Sequence, residues 1–325
     1  MVISKTPFRI SFFGGGSDYP DYYLRYGGKV LGTTIDKYCY LNIRKLPPFF
    51  DYKYRVVYSK QESVKRVDDI EHPSVKQTLK YLNIDYGVSI NYDGDIPARS
   101  GMGSSSAFTV GLLNGLYALE GKMLTKHELA NKAIHIEQNL IKENVGSQDQ
   151  AFASHGGLNL IEFLQNGEIV STPIILNKNR FHSFEENIML FFSGISRNAN
   201  EIAKDQVSKI SINKEKIDNI KNLVDEAYEI LTKKDLDQFG ELLNYTWELK
   251  KSLSNNITNY IIEEMYEKAK KAGAIGGKLL GAGGGGFMAF YVPKKHQDKV
   301  RVALKNFLYV PIKFEFNGSK IVFIN

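Results

Sequence analysis

The stretch Pro97-Ala-Arg-Ser-Gly101-Met-Gly103-Ser104-Ser105-Ser106-Ala107 governs how the rest of the chain is read. Its glycines let consecutive backbone amides converge, and its serines fall where a helix would begin. An α-helix leaves its first amides unpaired and carries partial positive charge at that end, so a phosphate chain is the guest this arrangement suits. One serine would suffice as a helix cap. Three of them behind Gly-x-Gly exceed that need, and a serine hydroxyl also ligates Mg²⁺ beside phosphates. No lysine follows Gly103 before the serines, which excludes the Walker-type phosphate loop and its fold.

Outward from this loop the hydrophobic pattern alternates between strand and helix. Residues 87–92 read as a strand leading into the loop, and residues 107–119 as the helix leaving it. Leu129, Ala133, Ile136 and Leu140 make one apolar stripe on a helix over residues 126–143. The first 60 residues are rich in β-branched and aromatic side chains (9–13, 29–43, 54–58) and are broken by glycines at 14–16 and 27–28, a strand-and-turn pattern. Further strands are expected near 157–163, 168–175 and 188–192, then helices over 214–232, 236–250 and 259–272. A glycine run at 281–286 opens a strand at 287–292, and a helix near 295–307 precedes short strands at 310–316 and 320–324. The whole reads as an α+β chain of two domains, residues 1–180 and 181–325, divided near the polar stretch 176–187.

Three further stretches bear on chemistry. Lys278-Leu-Leu-Gly281-Ala-Gly283-Gly284-Gly285-Gly286-Phe287 contains a formal Gly-x-Gly-x-x-Gly, yet it opens a strand where a dinucleotide fingerprint must open a helix, so an oxidoreductase is excluded. Six small residues in a row favour close backbone approach to a ligand or to the first loop. Arg9 on a strand is followed by Gly14-Gly-Gly-Ser17-Asp18, a permissive loop ending in a carboxylate that suits sugar hydroxyls or caps the next segment. Glu137 on a helix and Asp149 on a loop twelve residues later supply the two acids phosphoryl transfer uses, one to hold Mg²⁺ and one to take the proton of the attacking hydroxyl.

Taken together and in this order, the motifs at Pro7–Asp18, Pro97–Ala107 and Lys278–Phe287 resemble the GHMP kinases, the family of galactokinase, homoserine kinase, mevalonate kinase and phosphomevalonate kinase. The resemblance implies a two-domain α+β fold with an N-terminal domain like the second domain of ribosomal protein S5, a ferredoxin-like C-terminal domain, and ATP between them. It implies ATP contacts from Pro97, Ser100, Gly101, Met102, Gly103, Ser104, Ser105, Ser106, Gly283 and Gly284, and Mg²⁺ held by Ser105 and Glu137. It also implies Asp149 as base, Arg9 polarising the phosphoryl group or hydroxyl, and Ser17, Asp18, Asp149 and Arg197 at the substrate. The Glu137 to Asp149 interval is one residue longer than in mevalonate kinase. The activity implied is phosphoryl transfer from ATP to a sugar, one already carrying a phosphate. Arg197 and Lys37 both remain open as the cation for that phosphate. A neutral sugar such as fucose as acceptor, and a sugar- and ATP-binding sensor without catalysis, are the competing readings.

Composition excludes other classes. The 42 basic and 36 acidic residues leave a net charge of +6, but the lysines alternate with acids along helices, the pattern of a solvated face and not of a nucleic-acid surface. No apolar run reaches the roughly 18 residues of a membrane helix. The single cysteine, Cys39, sits in a strand-like run and reads as a core residue. The first residues lack the order of a secretory signal, so a cytoplasmic enzyme is expected.

Overall fold

The computed structural model describes residues 1–195 and 199–325, leaving the side chains of residues 199–201 outside the description. In chain order the elements are β1 (Val2–Phe13), α1 (Pro20–Tyr26), β2 (Gly28–Lys45), β3 (Tyr54–Val57), β4 (Gln61–Val64), α2 (Pro73–Tyr81), β5 (Val88–Gly94), α3 (Ser104–Leu119), α4 (Lys126–Ile134), α5 (Gln148–His155), β6 (Leu158–Phe163), β7 (Ile169–Pro173), α6 (Lys178–Glu186) and β8 (Ile188–Phe192). The second half holds α7 (Ala199–Ser208), α8 (Lys214–Lys233), α9 (Asp237–Lys251), α10 (Tyr260–Lys271), β9 (Gly276–Leu279), β10 (Phe287–Tyr291), α11 (Gln297–Ala303), β11 (Leu308–Val310), β12 (Phe314–Glu315) and β13 (Lys320–Ile324).

β1 and β2 organise a nine-stranded sheet in the order β13-β1-β2-β5-β3-β4. The other edge of β2 is shared along its length by β6 at Gly28–Thr33, β12 at Thr34–Ile35 and β5 at Cys39–Lys45. A second, antiparallel sheet runs β11-β8-β10-β9. The two sheets fall on either side of the polar stretch 176–187, except that β12 and β13 return to the first. One apolar core spans both: Phe12 of β1 meets Phe184 and Phe239 edge-on at centroid distances of 5.6 and 5.4 Å.

Several elements depart from the sequence reading. The polar stretch 176–187 forms α6, whose Asn177 side chain caps the helix and whose Phe184 is buried. The helix expected over 126–143 stops at Ile134 and continues as a π-helical segment, His135–Ile141. Asp149, expected on a loop, lies in the first turn of α5. The glycine run 281–286 does not follow a helix directly but is the loop of the β9–β10 hairpin, which still opens no helix. Cys39 is buried in β2, as its alternating run suggests.

Candidate active site

The phosphate-cradle loop precedes α3, a 16-residue helix. Arg99, Gly101 and Gly103 all have positive φ, and Gly103 at φ 74° is the residue before the helix, with no side chain capping it. The loop is therefore a coil of left-handed residues whose next element presents free amides. Met102 is fully buried and pins the loop to the core, while its carbonyl accepts the Arg9 amide of β1 at 3.2 Å. Ser100 is also buried, with its hydroxyl unpartnered among the described groups.

The glycine hairpin makes the close approach that its small residues suggest. A Cβ on Gly281 would lie 2.6 Å from Gly101 Cα, and one on Gly286 would lie 2.2 Å from the Ser100 carbonyl oxygen. The Phe287 amide donates to that same carbonyl at 3.2 Å. Gly283 and Gly284 pack instead on Ile257, whose carbonyl takes the Gly284 amide at 2.8 Å. The Gly284 amide is thus taken up within the hairpin.

Arg9, 4% exposed, joins the first loop to the expected base. Its Nε donates to Asp149 Oδ1 and its Nη2 to Oδ2, both at 2.8 Å, while Nη1 donates to the Gly101 carbonyl at 2.7 Å. Gly103 lies over this pair: its missing Cβ would be 3.3 Å from Asp149 Oδ2. Asp149 keeps about a quarter of its side chain exposed, so an acceptor can reach it.

Asp18 is buried near Asp149, against residues 146–148 leading into α5. Its Oδ1 accepts the Gly16 amide at 3.0 Å, and Gly146 can only be glycine because a Cβ there would meet Asp18 Oδ2 at 1.9 Å. Burial first, then the neighbouring Asp149 charge, raise the Asp18 carboxyl above its ordinary range. Tyr19 lies buried beside both acids, and burial first, then the Asp18 and Asp149 charges, raise its hydroxyl. Ser17, expected at the substrate, has its hydroxyl bonded to the Gly14 and Lys29 carbonyls at 2.8 and 3.0 Å, and so orders its own loop. Lys37 is engaged by Asp36 at 3.2 Å, and Arg197 lies outside the described residues.

Glu137 projects from the π-helical segment into the protein interior, fully buried. Hydrogen bonding of i to i+5 fits an extra residue into the turn that carries Glu137. Ser106 donates to Glu137 Oε2 at 2.8 Å and Gln150 bonds the same oxygen, whereas Ser105 is exposed and shares no hydrogen bond with Glu137 among the described residues. Oε1 is buried and accepts no hydrogen bond, the nearby Thr109 hydroxyl pointing to Ser74 and the Ser105 carbonyl, and burial, opposed by the Thr109 and Ser106 hydroxyls, pushes the carboxyl up to about 7. An ionisable oxygen unbonded in the interior fits the part of a cation ligand. Two lysines carry no signal of this kind in the sequence. Lys278 Nζ donates to the Phe12 carbonyl at 2.9 Å, and Lys250 Nζ donates to the Leu279 and Gly281 carbonyls at 2.9 and 2.6 Å.

Comparison with known proteins bears on this geometry directly. The model of the GHMP kinases N-terminal domain matches residues 73–157, and that of the GHMP kinases C-terminal domain residues 223–310. The chain is also 30% identical to a D-glycero-alpha-D-manno-heptose 7-phosphate kinase of Campylobacter jejuni over 95% of each chain. This chain belongs to the GHMP kinase family. It is an ATP-dependent phosphotransferase with the mixed α and β fold of that family. The crystal structure of a D-glycero-D-manno-heptose 1-phosphate kinase from Bacteroides thetaiotaomicron superposes with TM-score 0.82 at 26% identity, covering all of both chains. A bifunctional L-fucokinase/L-fucose-1-P guanylyltransferase of Bacteroides fragilis is 24% identical over 93% of this chain and 35% of its own. No helix among the described residues is long and apolar enough to cross a membrane.

Proposed function

We propose that this GHMP kinase transfers the γ-phosphoryl group of ATP to the anomeric hydroxyl of D-glycero-D-manno-heptose 7-phosphate, giving heptose 1,7-bisphosphate. The observation that carries the reading is the Arg9 fork. One guanidinium orients Asp149 and holds the Gly101 carbonyl of the loop expected to bind phosphate, so base and phosphoryl donor share one anchor. The acceptor choice rests on the likeness to the Campylobacter heptose 7-phosphate kinase and on four runs that resemble that group within the family: Gly14–Asp18, Thr34–Tyr38, Gly146–Gln150 and Ser193–Arg197.

In this reading residues 1–180 carry nucleotide and base, and residues 181–325 close the site with the glycine hairpin. Residues 97–106 receive the triphosphate, with the α3 amides facing its charge. Each Asp149 oxygen keeps a lone pair beyond its bond to Arg9, and that lone pair accepts the proton of the attacking hydroxyl. Asp18 bonds the sugar hydroxyls from its buried position. Glu137, with its free Oε1, would hold Mg²⁺, with Ser106 and Gln150 fixing its other oxygen; Ser105, next on the helix, is the other ligand implied by the family. The cation supplies charge neutralisation between the phosphates.

The test is ADP release with Mg·ATP and heptose 7-phosphate, heptose 1-phosphate, mannose, galactose and fucose in parallel. Turnover confined to the 7-phosphate supports the reading. Turnover on fucose alone would assign a neutral-sugar kinase, and nucleotide binding without turnover would favour a sensor.

A further inference from the structure

The reaction assigns no part to Lys250 and Lys278, two lysines whose amines are turned inward. Lys278 is 4% exposed on β9, and Lys250 is half-buried in the last turn of α9, its ammonium bonded to two backbone carbonyls. Among the described residues neither forms a salt bridge, and every hydrogen bond of either ammonium goes to a backbone carbonyl. A lysine ammonium has three donors, so Lys278 retains two and Lys250 one. A lysine withdrawn from solvent without a carboxylate in ion-pair contact costs stability, and such groups concentrate where a charged ligand binds.

Their placement defines the ligand. Lys250 holds the Gly281 carbonyl, and Gly281 is in backbone contact with Gly101 of the phosphate-cradle loop. Lys278 holds Phe12, three residues along β1 from Arg9. Three cations, Arg9, Lys250 and Lys278, thus surround a site whose acids are Asp18 and Asp149, and Arg9 is already matched by Asp149. When all five groups are ionised, three cations face two carboxylates, and the one unmatched positive charge is balanced by an anionic guest.

We propose that Lys250 and Lys278 receive a terminal phosphate group as its charge-neutralising partners on the hairpin side of the site. This rests on the kinase reading, in which the terminal phosphate is the γ-phosphate of ATP or the phosphate of the sugar. With no guest, burial holds the Lys278 amine down to about 7 and the Lys250 amine well below its ordinary range; Arg9 lowers both, Lys278 also lowers Lys250, and Asp18 opposes these effects on each. A phosphate dianion reverses that balance, so its binding draws protons from solvent.

The experiment compares calorimetric binding of Mg·ATP with Mg·ADP, and of heptose 7-phosphate with the free heptose, to wild type, Lys250→Gln and Lys278→Gln. Glutamine keeps a donor for the carbonyls and removes the charge. The proposal expects the preference for the extra phosphate to fall about tenfold to a hundredfold in both variants. Loss in the nucleotide arm places the γ-phosphate there, and loss in the sugar arm places the sugar phosphate there. Retention in both arms overturns the proposal and leaves the kinase intact, whereas failure of wild type to bind either nucleotide would overturn both. Should the variants fail to fold, wild type decides alone. At pH 8, binding of the phosphate-bearing partner of one pair should take up about one proton more than its counterpart. Equal uptake in both pairs overturns the proposal.

Discussion

Arg9 and Asp149 share two parallel hydrogen bonds of 2.8 Å, and the third arm of the same guanidinium holds the Gly101 carbonyl at 2.7 Å. A planar, five-donor group can bind a carboxylate and a carbonyl at once, which an ammonium cannot do with fixed geometry. Arg9→Lys should therefore lower kcat about ten- to a hundredfold at preserved charge, because base and loop lose their common anchor. Steady-state kinetics with a thermal melt beside them separate this from unfolding. An unchanged kcat would remove Arg9 from the account.

Asp149→Asn retains the shape of the side chain but not the base. Loss of proton acceptance should cost about 10²- to 10⁴-fold in kcat. ATP binding, read by calorimetry, should persist, since the cradle loop is still tied to Arg9 through Gly101.

Gly286 faces the Ser100 carbonyl so closely that an added Cβ would stand 2.2 Å away, and its φ is 104°. Neither backbone can yield without separating the hairpin from the cradle loop. Gly286→Ala should lower stability by about 2–4 kcal/mol, seen as a lower urea midpoint, and raise the KM for ATP. A variant with wild-type midpoint and KM would show that the contact is dispensable.

Glu137 gives a pH dependence. Burial pushes its carboxyl up to about 7 from an ordinary 4.5, so between those values the folded protein holds a proton the unfolded chain has lost. The metal-free protein is thus favoured by this group below pH 4.5, and that contribution is lost as pH rises through 7. Mg²⁺ requires the ionised form, so its affinity should fall about tenfold per pH unit below 7 and level off above it. Titration of Mg²⁺ against protein stability across roughly pH 5.5–8.5 checks the slope. Ser106→Ala should weaken Mg²⁺ binding more than Ser105→Ala does by disordering Glu137; the reverse order would return the leading part to Ser105.

How far these features could be read from sequence depends on how local their causes are. The cradle loop and the contact of the glycine hairpin with it follow from small residues in unbroken runs, and the structure sets Gly281 on Gly101. The strands β1 and β2 follow from dense β-branched and aromatic residues. α6 is hidden because only Phe181 and Phe184 mark an apolar side in a polar stretch. The π-helical segment at Glu137 is only 7 residues long, so its extra residue per turn shifts the apolar stripe too little for periodicity to separate it from an α-helix. Lys250 is illegible for a different reason. Beside Lys251 at the end of a mixed helix it reads as a solvated cation, and only the return of β9 encloses it.

The central claim, phosphoryl transfer to the anomeric hydroxyl of a sugar phosphate, is tested most directly by ³¹P NMR of the product. The purified protein is incubated with Mg·ATP and D-glycero-D-manno-heptose 7-phosphate, with Asp149→Asn in parallel. The account predicts a second phosphate signal coupled to the anomeric proton in the wild-type reaction and its absence in the variant. A product phosphorylated at another carbon, or consumption of ATP only with an unphosphorylated sugar, would contradict it.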